Sequence, residues 1–150
     1  MKFAVCIALG GAALLAAAPA AAQFAKPEDA VKYRQGAFYV MGQHFSRLGA
    51  MASGRVPYDM KVAVDNAELV AVLARLPSAG FVPATANLSQ RARPEIWAEQ
   101  ARFVEQNDKL AVEAGKLLAA ARTNSVDNLK AAFSATAAVC KSCHDAYRGH

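Results

Sequence analysis

The chain has 150 residues, of which 55% are hydrophobic and 19% charged, and its formal net charge is +5. This length and hydrophobicity fit one globular domain and exclude a disordered tail. The 17 basic residues are scattered and do not interleave with aromatic residues, which argues against a nucleic-acid partner. Alanine supplies much of the hydrophobic total and favours an all-α protein over a sheet.

Residues 1–22 have the pattern of a secretory signal peptide. Lys2 precedes a long apolar stretch, which ends in an A-x-A cleavage site before Gln23. A transmembrane anchor is the alternative, but glycines and a proline interrupt the stretch. We therefore predict cleavage before Gln23, a periplasmic location, and a mature domain of residues 23–150 with no membrane association.

The mature chain is predicted to form four helices and one long connection. The first helix spans Pro27 to Ala52, the second 58–76 and the third 94–122, and the last follows Ser125 to about Tyr147. Residues 77–93 form the connection. Helical spacing places one core stripe on the first helix: Val31, Arg34, Phe38, Met41, Phe45 and Leu48.

The second helix has two apolar faces. The face assigned to the core comprises Val62, Asn66, Leu69, Leu73 and Leu76. The other face, at Ala63, Ala67 and Val70, predicts a surface for a partner.

The last helix ends in the motif C-K-S-C-H, formed by Cys140, Cys143 and His144. A thioredoxin-type dithiol belongs to a strand–helix unit, which the sequence lacks. A zinc site needs four ligands, and only His44 and His150 remain to complete one. C-x-x-C-H is the attachment signature of c-type haem. Cysteines three residues apart share a helix face, so both sulfur atoms can reach the vinyl groups of one porphyrin while the adjacent histidine binds iron.

Several segments together give the chain a family resemblance. These features are the C-terminal position of the haem motif, the opening QFAKPEDAVKYRQ, the R-P-E-I-W start of the third helix and the ending CKSCHDAYR. Together they resemble cytochrome c′, and the resemblance covers essentially all of residues 23–150. The resemblance implies an antiparallel, left-handed four-helix bundle with one haem c, bound through two thioethers. It also implies His144 as the proximal iron ligand, no protein ligand on the distal side, and a homodimer through the first two helices.

The resemblance also bears on function. Electron-transfer relatives of this fold place a methionine four residues after an arginine of the first helix, where this chain has Phe38. A phenyl ring cannot ligate iron, so we expect a five-coordinate iron that binds nitric oxide and carbon monoxide, for nitric oxide capture or tolerance with accessory electron transfer. The alternative is a six-coordinate, low-spin electron carrier in which Met41 is the sixth ligand. Phe38 and Met41 cannot move protons, which argues against an enzyme.

Further residues are assigned to the haem pocket. Arg34 is a cation on a buried stripe, which is costly unless it is paired, and the resemblance assigns Arg34 and Gln35 to the haem propionates. Arg148, one helical turn after His144, is assigned to the proximal face; its ordinary alternative is a C-terminal cation favoured by the helix dipole. Met41 is expected to pack in the pocket, His44 to lie at the surface or an interface, and Phe81 to line the pocket or join the core.

Overall fold

The computed structural model describes residues 23–88 and 91–149. The predicted signal peptide at 1–22 and His150 lie outside the described residues. The described chain forms α1 (Pro27–Ala52), α2 (Met60–Leu73), α3 (Glu95–Ala98), α4 (Gln100–Ala121) and α5 (Val126–Tyr147). In this described part, no helix has the length and apolar character needed to cross a membrane.

The four long helices form a closed bundle. Helix α1 packs against α2 and α5, and α4 packs against the same two helices. Each long helix therefore has two neighbours, which is the arrangement of a four-helix bundle. The predicted all-α fold is confirmed.

Helix α1 has the predicted bounds. Pro27 lies in the first turn, where no intrahelical N–H bond is lost, and Glu28 and Asp29 lie at the positive end of the helix dipole. The helix ends before Gly54, whose φ of +72° suits glycine. The predicted stripe faces inward: Val31, Arg34, Met41 and Leu48 are buried, and Phe38 and Phe45 are partly buried.

Helix α2 is shorter than predicted and turns a different face to the core. It begins after Asp59, whose carboxylate accepts the Val62 N–H at 3.0 Å, and it ends at Leu73. Val62 and Leu69, which were predicted to be core residues, are 43% and 44% exposed. Asn66 of the predicted set is buried and Leu73 is partly buried, but the rest of the buried face consists of smaller residues: Ala63, Ala67, Val70 and Ala74. Small side chains let α2 approach its neighbours closely, so the predicted partner surface is in fact the core face.

The long connection and the helix after it also differ from the prediction. The connection contains two short 3₁₀-helices, Pro77–Gly80 and Pro83–Thr85. The third helix is not continuous, because the backbone leaves helical geometry at Glu99, between α3 and α4. The Trp97 indole N–H donates to the Val82 carbonyl at 3.2 Å, which ties α3 to the connection.

The core has two parts. The main cluster fills the space between the four long helices and includes Leu48, Val70, Leu117 and Leu129. A second cluster of Ile96, Phe103 and Tyr147 joins α3, α4 and the end of α5. The rings of Phe103 and Tyr147 meet edge to face, with centroids 5.4 Å apart.

Candidate functional site

The two cysteines of the motif lie on α5 at the boundary between the two clusters. Cys140 packs against the main cluster and Cys143 against the second. Both thiols are free and partly buried. Burial raises the pKa of each thiol, and the charge of Cys140 raises that of Cys143 further. The pair is therefore held as neutral thiols facing the interior.

His144 follows the pair and lines a recess of about 400 Å³ together with Arg91, Arg93, Asp145, Arg148 and Gly149. Its side chain is exposed at the rim of this recess. Desolvation by the surrounding atoms, and then the charge of Arg148, lower the pKa of His144. The neutral imidazole, which is the form that binds metals, is favoured as a result.

Arg148 shares this recess, but it is not on the helix. Helix α5 ends at Tyr147, and Arg148 is extended in an isolated antiparallel bridge with Ala92. The Arg93 N–H donates to the Tyr147 carbonyl at 3.0 Å, and the Gly149 N–H donates to the Arg91 carbonyl at 2.9 Å. Arg148 nevertheless keeps the predicted one-turn spacing from His144, because its N–H donates to the His144 carbonyl at 3.0 Å, and the bridge holds both residues at one recess.

The bridge brings two further arginines to the recess that the sequence analysis missed. Arg91 and Arg93 line it beside Arg148. The sequence R-A-R before the third helix was a signal of positive charge, but only the bridge places it beside the haem motif. Asp145 is the one carboxylate in the lining, and it is paired with Lys141 on α5. The recess is therefore strongly cationic.

The predicted distal residues lie on the inward side of α1. Phe38 packs against the main cluster, and its ring meets the ring of Phe81 nearly edge to face, with centroids 6.4 Å apart. Met41 is buried within the main cluster. His44 is hydrogen-bonded to Asn66 at 2.9 Å, which links α1 to α2. Gln35 is exposed.

Arg34 is 2% exposed and has protein partners that the sequence did not predict. Its Nη1 donates to the Gly80 carbonyl at 2.7 Å and to the Thr85 hydroxyl at 2.8 Å. Its guanidinium carbon lies 4.3 Å from the centre of the Phe81 ring. Burial lowers the pKa of Arg34. Polar groups of the long connection therefore solvate one end of the buried guanidinium, and the assignment of Arg34 to the haem propionates stays a prediction.

The described residues fit a c-type haem. The buried Nη2 of Arg34 has no hydrogen-bond partner in the described part of the chain, so one charge-assisted donor remains for a carboxylate. Cys140 and Cys143 supply two thiols on one helix face, His144 supplies a neutral imidazole, and the cationic recess suits propionate groups. This donor set matches two thioethers, one iron ligand and two carboxylates.

Comparison with known proteins relates the chain to one family. The family model described as Cytochrome C' matches residues 29–148. The cytochrome c' of Rubrivivax gelatinosus is 42% identical over 127 residues, which cover 84% of this chain and 98% of that protein. The cytochrome c' of Alcaligenes xylosoxydans is 46% identical over 126 residues, again 84% and 98% of the two chains.

Solved structures agree equally well. The crystal structure of the Rubrivivax gelatinosus protein superposes with a TM-score of 0.80 at 42% identity and covers 85% of this chain and 100% of that one. A nitric oxide complex of a variant of the Alcaligenes xylosoxidans protein superposes with a TM-score of 0.80 at 44% identity, with the same coverage. These structures match the helical bundle described above.

Proposed function

Because the chain belongs to the cytochrome c′ family, we propose that it carries one haem c and binds small gases through an iron that has a single protein ligand. Cys140 and Cys143 form the two thioether bonds, and His144 is the proximal ligand. Proteins of this family are haem proteins that bind gases or carry electrons, and they are not catalytic enzymes.

One observation carries this proposal: the half-buried cysteine pair and His144 lie on α5, while the inward position on α1 assigned to the distal side is occupied by Phe38. When bound, the haem would supply the iron that binds the gas. On the distal side, Phe38 provides no ligand atom. Neither Phe38 nor buried Met41 can transfer protons, so this side suits binding without turnover.

Nitric oxide is the proposed physiological gas. A variant of the related Alcaligenes protein has been solved as a nitric oxide complex. We assign this chain to nitric oxide capture or tolerance in the periplasm, after cleavage before Gln23, with accessory electron transfer. The cationic recess with Arg91, Arg93 and Arg148 supports propionate binding and places a guanidinium beside His144.

A homodimer through α1 and α2 is part of the proposal. The exposed apolar residues that support it are Val40 on α1 and Val62 and Leu69 on α2. They lie on both sides of the His44–Asn66 hydrogen bond, each about one turn from it along its helix. This patch replaces the surface first predicted from Ala63, Ala67 and Val70.

The spin state of the purified haem protein tests the proposed function. With His144 as the only protein ligand, the ferric and ferrous forms are both expected to be predominantly high-spin at neutral pH, as measured by absorption and magnetic spectroscopy. A low-spin spectrum with a sulfur-to-iron charge-transfer band, abolished by Met41→Leu, would establish the six-coordinate electron carrier instead. Phe45→Leu, which changes a partly buried residue of α1 next to the main cluster, serves as the control substitution.

A further inference from the structure

A buried side chain of α1 hydrogen-bonds the first part of the long connection. Arg34 Nη1 bonds both Gly80 and Thr85, which lie 46 and 51 residues away in sequence. Thr85 is fully buried, and its hydroxyl also donates to the Val82 carbonyl at 2.8 Å. One guanidinium therefore joins both 3₁₀-helices of the connection to α1.

The connection lies unusually close to α1 at this point. A Cβ atom built on Gly80 would lie 2.6 Å from the Ala30 carbonyl oxygen and 2.8 Å from the Arg34 Cβ. The backbone of the connection therefore contacts the helix backbone directly. Only small displacements are possible while the Arg34 hydrogen bonds are intact.

Phe81 lies between this anchor and the distal residue. Its ring lies under the Arg34 guanidinium at 4.3 Å, and the same ring contacts Phe38. Phe103 meets another side of Phe81, with ring centroids 4.8 Å apart. Phe81 is therefore held in one place by a cation and a second ring, and it limits where the Phe38 ring can move.

From this arrangement we propose that Arg34 is a positioning residue for gas binding. By fixing Gly80 and Thr85 it holds Phe81 against Phe38, and so it sets the resistance that the Phe38 ring offers to an entering ligand. This inference rests on the proposed gas-binding function. It is distinct from the expected contact of Arg34 with a propionate, which would use the remaining Nη2 donor.

The test uses the haem-loaded protein and the substitution Thr85→Val, which removes the hydroxyl and keeps the side-chain volume. Thr136→Val is the matched control, because Thr136 is also buried and its hydroxyl reaches only the Ala132 carbonyl of α5 at 2.9 Å and the Glu113 carbonyl of α4 at 3.3 Å, not the connection. Carbon monoxide association is measured by flash photolysis. Hydrogen exchange is measured at the amides of Phe81, Thr85 and Ala86, which bond within the connection.

Thr85→Val is expected to raise the association rate about tenfold, which corresponds to lowering the activation free energy of ligand entry by about 1.4 kcal/mol. It should also reduce amide protection in the connection, and Thr85→Ser should restore both values. Arg34→Lys keeps the charge but loses the planar, two-acceptor geometry, so it should act in the same direction. Thr136→Val should change neither value.

An unchanged association rate in Thr85→Val, or an equal rise in Thr136→Val, would overturn the proposal. A change in haem reduction potential without a change in association rate or protection would also overturn it and assign Arg34 to the propionates alone. Hydrogen exchange does not depend on gas binding. If the wild-type protein binds no carbon monoxide, the proposed function and this proposal both fail, while exchange still reports whether Arg34 anchors the connection.

Discussion

Phe38 occupies the position whose residue type distinguishes the two proposed functions, gas binding and electron transfer. Its ring is partly buried, packs against the main cluster and contacts Phe81. A methionine there would offer a sulfur ligand to iron, whereas a phenyl ring offers only volume. The size and freedom of this one ring should therefore determine how tightly a gas is bound.

We expect Phe38→Ala to raise the carbon monoxide affinity of the reduced protein. An entering ligand must displace the wild-type ring at a cost of about 1–3 kcal/mol, and alanine removes that cost. Equilibrium titration measures the affinity. Phe45→Ala is the control, because Phe45 stacks on Phe133 at 4.4 Å and not on Phe81. Equal affinities in wild type and Phe38→Ala would show that Phe38 does not control access to the iron.

The second prediction at the residue scale concerns Arg148. The extended backbone and the bridge to Ala92 hold its guanidinium beside His144, where it can interact with a ligand on the proximal face. Arg148→Ala should change the rate of nitric oxide binding to the haem-loaded protein, because the guanidinium shares the recess with His144. Carbon monoxide binding, a distal event, should change little.

Stopped-flow mixing of each gas with both proteins measures these rates. Arg122→Ala is a suitable control, since Arg122 pairs with Glu68 on the surface at 2.8 Å. Equal changes in the two gas rates would indicate general loosening of the chain end. No change in either would make Arg148 an ordinary C-terminal cation.

At the scale of elements, the packing of α1 against α5 depends on one glycine. A Cβ atom built on Gly49 would lie 2.7 Å from the tip of the Phe133 ring, whereas one built on Gly115 of α4 would meet nothing within 4 Å. Both residues are helical, so alanine improves helix propensity at each. Only at Gly49 must a neighbouring ring move.

Gly49→Ala is therefore expected to destabilise the protein by about 1–3 kcal/mol, because overpacking outweighs the gain in propensity. Gly115→Ala should stabilise it by about 0.5–1 kcal/mol. Urea unfolding of both variants measures the free energies. A stabilised Gly49→Ala would mean that Phe133 reorients at no cost, for example by leaving its stacked position on Phe45.

The same elements show what the sequence could and could not predict. The bounds of α1 were predicted because Pro27, its acidic first turn and Gly54 are local signals. The core face of α2 was not predicted correctly, because alanine and leucine are both apolar and only the close packing of the helices favours the smaller side chain. The partners of Arg34 were equally hidden, since Gly80 and Thr85 reach it only through the fold.

At the scale of the whole molecule, the candidate site combines local and distant residues. The positions of Cys140, Cys143 and His144 could be predicted because covalent attachment and ligation need a fixed spacing within one helix turn. Arg91 and Arg93 could not, because a backbone bridge formed after α5 ends brings them to the recess. The proposed roles of these residues toward haem can be tested independently of the proposed dimer surface.

The last prediction concerns that surface. Val62 and Leu69 on α2 are exposed, and so is Val40 on α1, although the core face of α2 is already filled by Ala63 and Ala67. In a two-fold dimer each residue of the patch is used twice. Val62→Glu would bury two carboxylates at a combined cost of at least about 3 kcal/mol, which raises the dissociation constant by more than about a hundredfold. Sedimentation velocity over a concentration series measures this change.

Val112→Glu is the control, because Val112 is 57% exposed on α4, away from the patch. The wild type and Val112→Glu should sediment as dimers and Val62→Glu as a monomer. A monomeric wild type, or dissociation of Val112→Glu with Val62→Glu still dimeric, would refute assembly through α1 and α2.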